Sequence, residues 1–428
     1  MAQTNVSSGS NLALTKYSTA VTAQIIRAPG ALNSMTGPAL DQSDAEANLK
    51  LQTDPGMPFV RITDLSSGKG DKITVDAFDT VNGKPIMGDR NAEGRGFKLS
   101  SSSFNMLINL ATFPVDAGGK MSRQRTRWEL RRIARSVIAA YYPQLIWQRA
   151  IVHAAGARGS QTGQSWNVPL STDADFAEIM VNPVQAPTYN RHYVLNAANL
   201  TRGGLQLQSL ATTDTWRLAN LDNLALILES METKIPPPRF VGDEQAYDSP
   251  IKGVLYMPPS SYNSLITDVS SSTSNLRAFQ AAVSDRQRYA SNSPIFRGEC
   301  GIWRGILVKK MEHTIKHAGS SSFQYITAAN RLTETETTGT VAALSGSFSA
   351  ERSIFFGGQG LARAEGGSNS DLQAAVIENS YNGGRNFEYF GEFMGGEAKF
   401  RFAYPNENGD KEPTDNGVMV IDAAAAIV

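Results

Sequence analysis

A single cysteine, Cys300, is the only thiol among the 428 residues. An intramolecular disulfide is therefore excluded, as is any cysteine-clustered metal site, and synthesis in a reducing cytosol is expected. Neither sign of charge is in excess: forty Lys and Arg stand against forty Asp and Glu. A protein held to nucleic acid mainly through phosphate contacts carries a clear positive surplus, so a dedicated DNA-binding module is not expected. A protein that must contain DNA without adhering to it is compatible with this balance. No run approaches the roughly eighteen uninterrupted apolar residues of a membrane span. The opening MAQTNVSSGSNLALTKYSTAV has neither the charged n-region nor the apolar h-region of a signal peptide. A soluble protein made in a cytoplasm, without a membrane partner, is the expectation.

Motifs that carry a chemical mechanism are equally scarce. There is no GxxxxGK followed by Ser or Thr, no GxSxG and no HExxH. GGQGLARAEGG at 357–367 briefly resembles a dinucleotide turn, but its third glycine position is Arg363, too large for close helix–strand contact. His313 and His317 stand four apart, as on one face of a helix, yet no Cys or carboxylate cluster nearby completes a zinc site, and the preceding ILVKK suggests a strand. His153 and His192 have no Ser, Cys or Asp beside them in a triad-like pattern, although triads also assemble across a fold. No catalytic, cofactor-binding or metal residue is expected.

What is present has the composition of an ordinary folded protein, 41% hydrophobic and 19% charged, with length for about two to four domains. Residues 1–58 are rich in Ser, Thr, Asn, Ala and Gly. They read either as a disordered terminus or as an arm ordered only across a neighbouring subunit. Ile73, Val75 and Ala77 then alternate with polar residues, as do Phe104, Met106, Ile108 and Leu110 farther on. Two period-two runs joined by the polar stretch VNGKPIMGDRNAEGRG at 81–96 predict a long, protruding hairpin. Leu130, Ile133, Ala134, Val137, Ile138, Tyr141 and Leu145 recur at helical spacing, predicting one long helix from Ser122, as N-cap, to about Gly156, kinked or interrupted at Pro143. Helices at 218–234, 259–268 and 275–287 interleave with strands at 253–259 and 305–312. Strands at 353–358, 399–404 and 417–422 follow, with a short helix near Leu361 to Glu365. This mixture predicts an α+β chain.

Seven cations, Lys120, Arg123, Arg125, Arg127, Arg131, Arg132 and Arg135, crowd the start of the long helix with only Glu129 opposing. Arg123, Arg127, Arg131 and Arg135 form one stripe at i, i+4 steps. A DNA-facing helix, a solvated face and a contact with acidic surface of a partner subunit all fit such a stripe. Candidate acids are Asp41, Asp44 and Glu46 in the arm and Asp89 and Glu93 in the hairpin.

Four segments carry a family resemblance in order: SSGKGDKITVDAF at 66–78, GKMSRQRTRWELRRIAR at 119–135, FFGGQGLARAEGG at 355–367 and NGVMVIDAAAA at 416–426. Together they resemble the major capsid proteins of N-four-like podoviruses, tailed bacteriophages whose shell subunits have the Hong Kong 97-type fold. The resemblance covers roughly residues 60–428, with the middle, 157–350, unmatched. It implies an arm (1–58), an extended hairpin loop with flanking strands (59–110), a spine helix of a peripheral domain (111–160), an axial domain (161–345) and C-terminal strands returning to the peripheral domain (346–428). It further implies a shell subunit that is not an enzyme and needs no cofactor. Such a subunit builds hexamers and pentamers of itself into an icosahedral head around double-stranded DNA, assembles in the bacterial cytoplasm and ends in the virion.

On this reading the hairpin tip, Lys84, Met87, Asp89, Arg90, Glu93 and Arg95, touches a neighbouring subunit, and so does the stripe Arg123, Arg127, Arg131 and Arg135. Portal, scaffolding and cement proteins are further partners, and packaged DNA is met only by weak non-specific contact. A cross-link through Lys69, Lys72, Lys84 or Lys98 has no acceptor marked in the sequence. The competing readings are a hydrolase with a dispersed site, and another virion component such as a tail protein or adhesin.

Overall fold

The computed structural model describes Met35 and residues 56–62, 70–78, 85–88, 93, 101–163, 165–240, 251–271, 273–289, 300–317, 323–328, 330–332, 336–341, 343–366, 374–405 and 410–427. The arm expected over 1–58 lies outside these, apart from Met35 and residues 56–58. Strands β1 (Phe59–Ile62), β2 (Lys72–Phe78), β3 (Ser101–Leu107) and β4 (Asn109–Gly119) precede helices α1 (Lys120–Arg125) and α2 (Leu130–Ala155). After α3 (Phe176–Met180) come β5 (His192–Asn196), β6 (Asn199–Arg202), α4 (Leu218–Ser230), β7 (Gly253–Met257), α5 (Pro259–Ser270) and α6 (Thr273–Tyr289). The rest is strand: β8 (Cys300–Trp303), β9 (Ile306–Lys310), β10 (Ile315–His317), β11 (Phe323–Ala328), β12 (Glu336–Val341), β13 (Phe348–Phe356), β14 (Leu361–Glu365), β15 (Ala374–Tyr381), β16 (Asn386–Lys399), β17 (Arg401–Pro405), β18 (Lys411–Asp415) and β19 (Val418–Ala426).

The large sheet runs β6-β5-β19-β13-β7-β9-β8, with β10 on β13. Its central strands are apolar without alternation because both faces are covered. Along β13, Ile354 and Phe356 meet the α2 side, while Phe355 between them meets the side of α4 and α5. Leu221, Leu224 and Leu228 of α4 and Leu265 and Val269 of α5 close that second face. The smaller sheet, β1-β14-β16-β15 with β4 also on β16, contributes Tyr389 and Phe393 to the same core as Ile146, Trp147, Ala150 and Ile151 of α2. One helix thus ties two sheets together.

The close approach of α2 to β16 explains a glycine. A Cβ at Gly391 would stand 2.4 Å from Ile138 Cγ2, and the Tyr142 hydroxyl lies 2.5 Å from the Gly391 carbonyl. At its far end α2 stops at Gly156, whose φ of 63° is the left-handed cap that glycine accepts without strain.

Three expectations are corrected. The long helix is two helices, since Thr126 is extended (φ −94°, ψ 141°), and its hydroxyl sits 3.3 Å from the carbonyls of both Arg123 and Trp128. A short side-chain hydroxyl competing for backbone groups is a common helix breaker. Ser122 falls inside α1, and Gly119 and Glu129 are the N-cap residues. Pro143 lies within α2, which continues past it; burial of the surrounding turns offsets the missing donor. Leu361–Glu365, helical by propensity, is strand β14, because β1 on one side and β16 on the other satisfy its backbone.

The β2–β3 hairpin forms as expected, Ile73 opposite Met106 and Val75 opposite Phe104. Its base is not without a core: Ile73, Phe104 and Met106 are buried with Val60, Ile62, Phe400 and Phe402.

Candidate assembly surfaces

The basic stripe does not act as a unit. Arg131 and Arg135 both reach Glu378 on β15, Arg135 at 3.0 Å. Arg131 lies over the Phe387 ring at 3.9 Å, and Arg135 over Tyr389 at 5.1 Å. Burial works against each charge, but Tyr389 and Glu378 hold the Arg131 guanidinium above its ordinary pKa, and Tyr389 and Arg131 hold the Glu378 carboxyl below its own. Arg123 covers Phe387 at 4.5 Å and donates to the Arg385 carbonyl at 3.3 Å. Arg127 is exposed, as are Lys120, Arg125 and Arg132. Among the described residues none of these last four enters an ion pair. Three arginines of the stripe therefore find their partners on the β15–β16 hairpin of the same chain, and the outward cations are the ones left over.

Around these cations lie apolar side chains in water. Trp128 is 70% exposed and Met121 62%, and Ile133 and Val137 follow on the outer side of α2. At the hairpin tip, Met87 is 70% exposed and Glu93 is also exposed. Lys84, Asp89, Arg90 and Arg95 lie outside the described residues. Large exposed apolar groups next to charge mark interaction surfaces more often than chance.

A groove of about 280 Å³ opens at the other end of β4. Phe113 and Tyr141 stack along one wall at 3.9 Å, nearly parallel. Ile179 and Val181 line the opposite wall, and Glu178 stands exposed at the lip. Arg149 also lines it, neutralised by Glu397 at 2.8 Å. Beyond Glu178, Asp173 and Asp175 are exposed too.

One arrangement in the interior has the look of chemistry. His192 Nε2 lies 2.6 Å from Asp422 Oδ2, and its Nδ1 lies 3.1 Å from Thr327 Oγ1. Sequence spacing gave no hint of it, since the three residues come from β5, β19 and β11. Arg352 donates to both oxygens of the same carboxylate, at 2.7 and 2.8 Å, and to the Ala155 carbonyl that ends α2. Although burial opposes it, the pull of Arg352 and His192 holds Asp422 well below the usual carboxylate range. All four side chains are buried, so no substrate reaches Thr327. The cluster is a satisfied polar joint between three strands, a hairpin and a helix end. His313 and His317 do not share a helix; His317 is in β10, and among the described residues no group of three or more metal-ligating side chains gathers. No described helix is long and apolar enough to cross a membrane.

Comparison with known proteins gives a consistent picture. A family model described as phage capsid protein matches residues 5–427. Among solved structures, the chain is similar to the capsid of Ralstonia phage GP4, at 21% identity over 91% of this chain and 94% of that one, with a TM-score of 0.67. It is similar also to the cyanophage Pam1 capsid asymmetric unit, at 18% identity, 92% and 95% coverage and a TM-score of 0.57. The acid-stable capsid of Helicobacter pylori bacteriophage KHP30 aligns at 10% identity, 87% and 89% coverage and a TM-score of 0.51. No curated protein matches by sequence.

Proposed function

The chain belongs to the phage capsid protein family, and from that premise we propose how its surfaces serve the shell. It is a major capsid protein with the α+β fold of the Hong Kong 97 type, a structural subunit and not an enzyme, which assembles with copies of itself into the phage head. Our reading is that the copies form hexamers and pentamers of an icosahedral shell around double-stranded DNA. Residues 1–58 act as an arm, 59–110 as the extended loop, 111–160 and 346–428 as the peripheral domain and 161–345 as the axial domain. Lys84, Met87, Asp89, Arg90, Glu93 and Arg95 contact one neighbour. Within the stripe Arg123, Arg127, Arg131 and Arg135, the outward contact falls to Arg127, while the other three shape the surface through Glu378 and Phe387. Portal, scaffolding and cement proteins are the further partners. Assembly runs in the host cytoplasm before the subunit takes its place in the virion, and the balanced charge keeps packaged DNA in weak contact only.

The observation that carries this reading is the exposure of the large apolar side chains Trp128, Met121 and Met87. Such surface gains partners in a closed lattice. Electron microscopy of the purified protein, with light scattering on the same sample, tests it. Closed shells, or rings of five and six, are expected, and these become open or absent when residues 80–96 are deleted. Normal shells from that deletion would remove the hairpin from the interface.

A further inference from the structure

The two uncovered features at the ends of β4 fit each other. At one end is the turn between α1 and α2, where Trp128 projects among Lys120, Arg125, Arg127 and Arg132, with Glu129 the one acid in the segment. At the other is the groove walled by Phe113, Tyr141 and Ile179, with Glu178 at its lip and Asp173 and Asp175 beyond. The turn is basic and offers a large aromatic; the groove is aromatic inside and acidic outside. Among the described residues, none of Asp173, Asp175 and Glu178 enters an ion pair with its own chain. Arg149, the groove's one cation, is already held by Glu397.

We infer that Trp128 of one subunit seats in the Phe113–Tyr141 groove of another copy of this chain, with Arg125, Arg127 and Arg132 over the acids Asp173, Asp175 and Glu178. A subunit cannot fill its own groove. From Ala111 to Gly119, β4 is one extended strand, and at about 3.3 Å per residue it spans on the order of 25 Å. The contact therefore joins unlike patches of two copies, and contacts of that kind generate rings and closed surfaces instead of stopping at a dimer. Size agrees as well: about 280 Å³ lies just under the roughly 300–1,000 Å³ of small-molecule sites, suited to one side chain. Tryptophan and arginine are the residues that most often dominate interfaces, and an indole set edge-on to a stacked aromatic pair is a favoured geometry. This inference rests on the reading that the start of the long helix faces a neighbour, and the test below separates the two.

Intact wild-type shells treated with a carbodiimide, which joins Lys amines to carboxylates, are expected to yield a Lys120 cross-link to Asp173, Asp175 or Glu178, seen by peptide mass spectrometry between isotopically distinct copies. In parallel, Arg127→Glu/Arg132→Glu and Asp173→Lys/Glu178→Lys are each expected to lower shell yield by about tenfold or more. The four substitutions combined restore it to within about threefold by reversing both signs. Thermal unfolding of each unassembled variant establishes that it folds; a variant that does not is replaced by Trp128→Ala on one side or Ile179→Ser on the other. If the helix-start variants block assembly while the groove variants do not, or if the combination fails to restore shells, the pairing is overturned and the helix start still faces a neighbour. If every variant builds shells like the wild type and no such cross-link forms, both readings fall.

Discussion

The two halves of α2 obey different rules although one hydrogen-bonded rod runs through both. Between Leu130 and Tyr141 only Ala134 and Ile138 are buried, whereas from Leu145 to Ala155 every residue is. The first half needs a single apolar stripe and can carry charge elsewhere. In the second, the buried polar side chains Gln148, Arg149 and His153 each meet a group of the same chain. Gln148 donates to the Ser165 carbonyl at 2.5 Å and accepts from the Asn167 amide at 2.7 Å, Arg149 pairs with Glu397 at 2.8 Å, and His153 lies 3.2 Å from the Met180 carbonyl. Where the helix is enclosed, its polar residues find partners inside the chain. Where it is open, its apolar residues find theirs outside.

The sharpest way to break that contrast uses two tryptophans. Trp147→Ala is expected to cost about 3–5 kcal/mol of subunit stability by emptying a fully packed site. Trp128→Ala is expected to stay within about 0.5 kcal/mol, as an exposed substitution does, while abolishing shells. Thermal unfolding of unassembled subunits reads the difference, and equal destabilisation would mean that both tryptophans belong to the fold. Next in size is Arg149→Met, which strands Glu397 as a buried charge and costs about 3–5 kcal/mol; adding Glu397→Met recovers most of it. A double variant as unstable as the single would show that the pair's value lies in shape and not in charge.

How much of this was legible in the sequence follows the same divide. Alternation exposed β2 and β3, and helical spacing exposed α2, α4 and α5, because each has one face in the core. The 14-residue β16 goes unpredicted: Gly391, Gly395 and Gly396 interrupt its run, and glutamates stand among its aromatics. Glycine at 391 is required because Ile138 presses on that strand, a demand made by a helix some 250 positions away in sequence. With β15 and β16 unseen, Glu378 and Phe387 were unseen, and the arginines that they hold looked free. The groove was invisible for a similar reason, since β4, α2 and α3 meet only in the fold.

The smallest expected effect is a slope with pH. Burial holds His153 and His317 neutral, at about 3 and about 4, Arg352 adding to the effect on His317, and burial depresses His192 as well. Their folded values lie below the roughly 6.5 of an unfolded histidine, so below that pH the unfolded chain gains protons that the folded one refuses. Stability falls as pH drops from about 6.5 towards 4, by about 1.4 kcal/mol per unit for each of His153 and His317, and His192 acts in the same direction. Urea unfolding at pH 7 and pH 5 measures it, and His317→Gln removes one histidine's share. An unchanged midpoint between those pH values would mean that the second half of α2 and its neighbours are open to water after all.

The place of β19 has a consequence in time. Residues 418–426 lie in the middle of the large sheet, between β5 and β13. A nascent chain that has not yet released them from the ribosome holds that sheet in two separate pieces, and Arg352 and His192 have no Asp422 to meet. Chains broken off by premature termination or proteolysis before that point cannot complete the subunit. Long-range pairing of this kind folds slowly. Only a polypeptide read through to residue 426 closes the large sheet, so a copy cut short before that point brings open strand edges to a growing lattice.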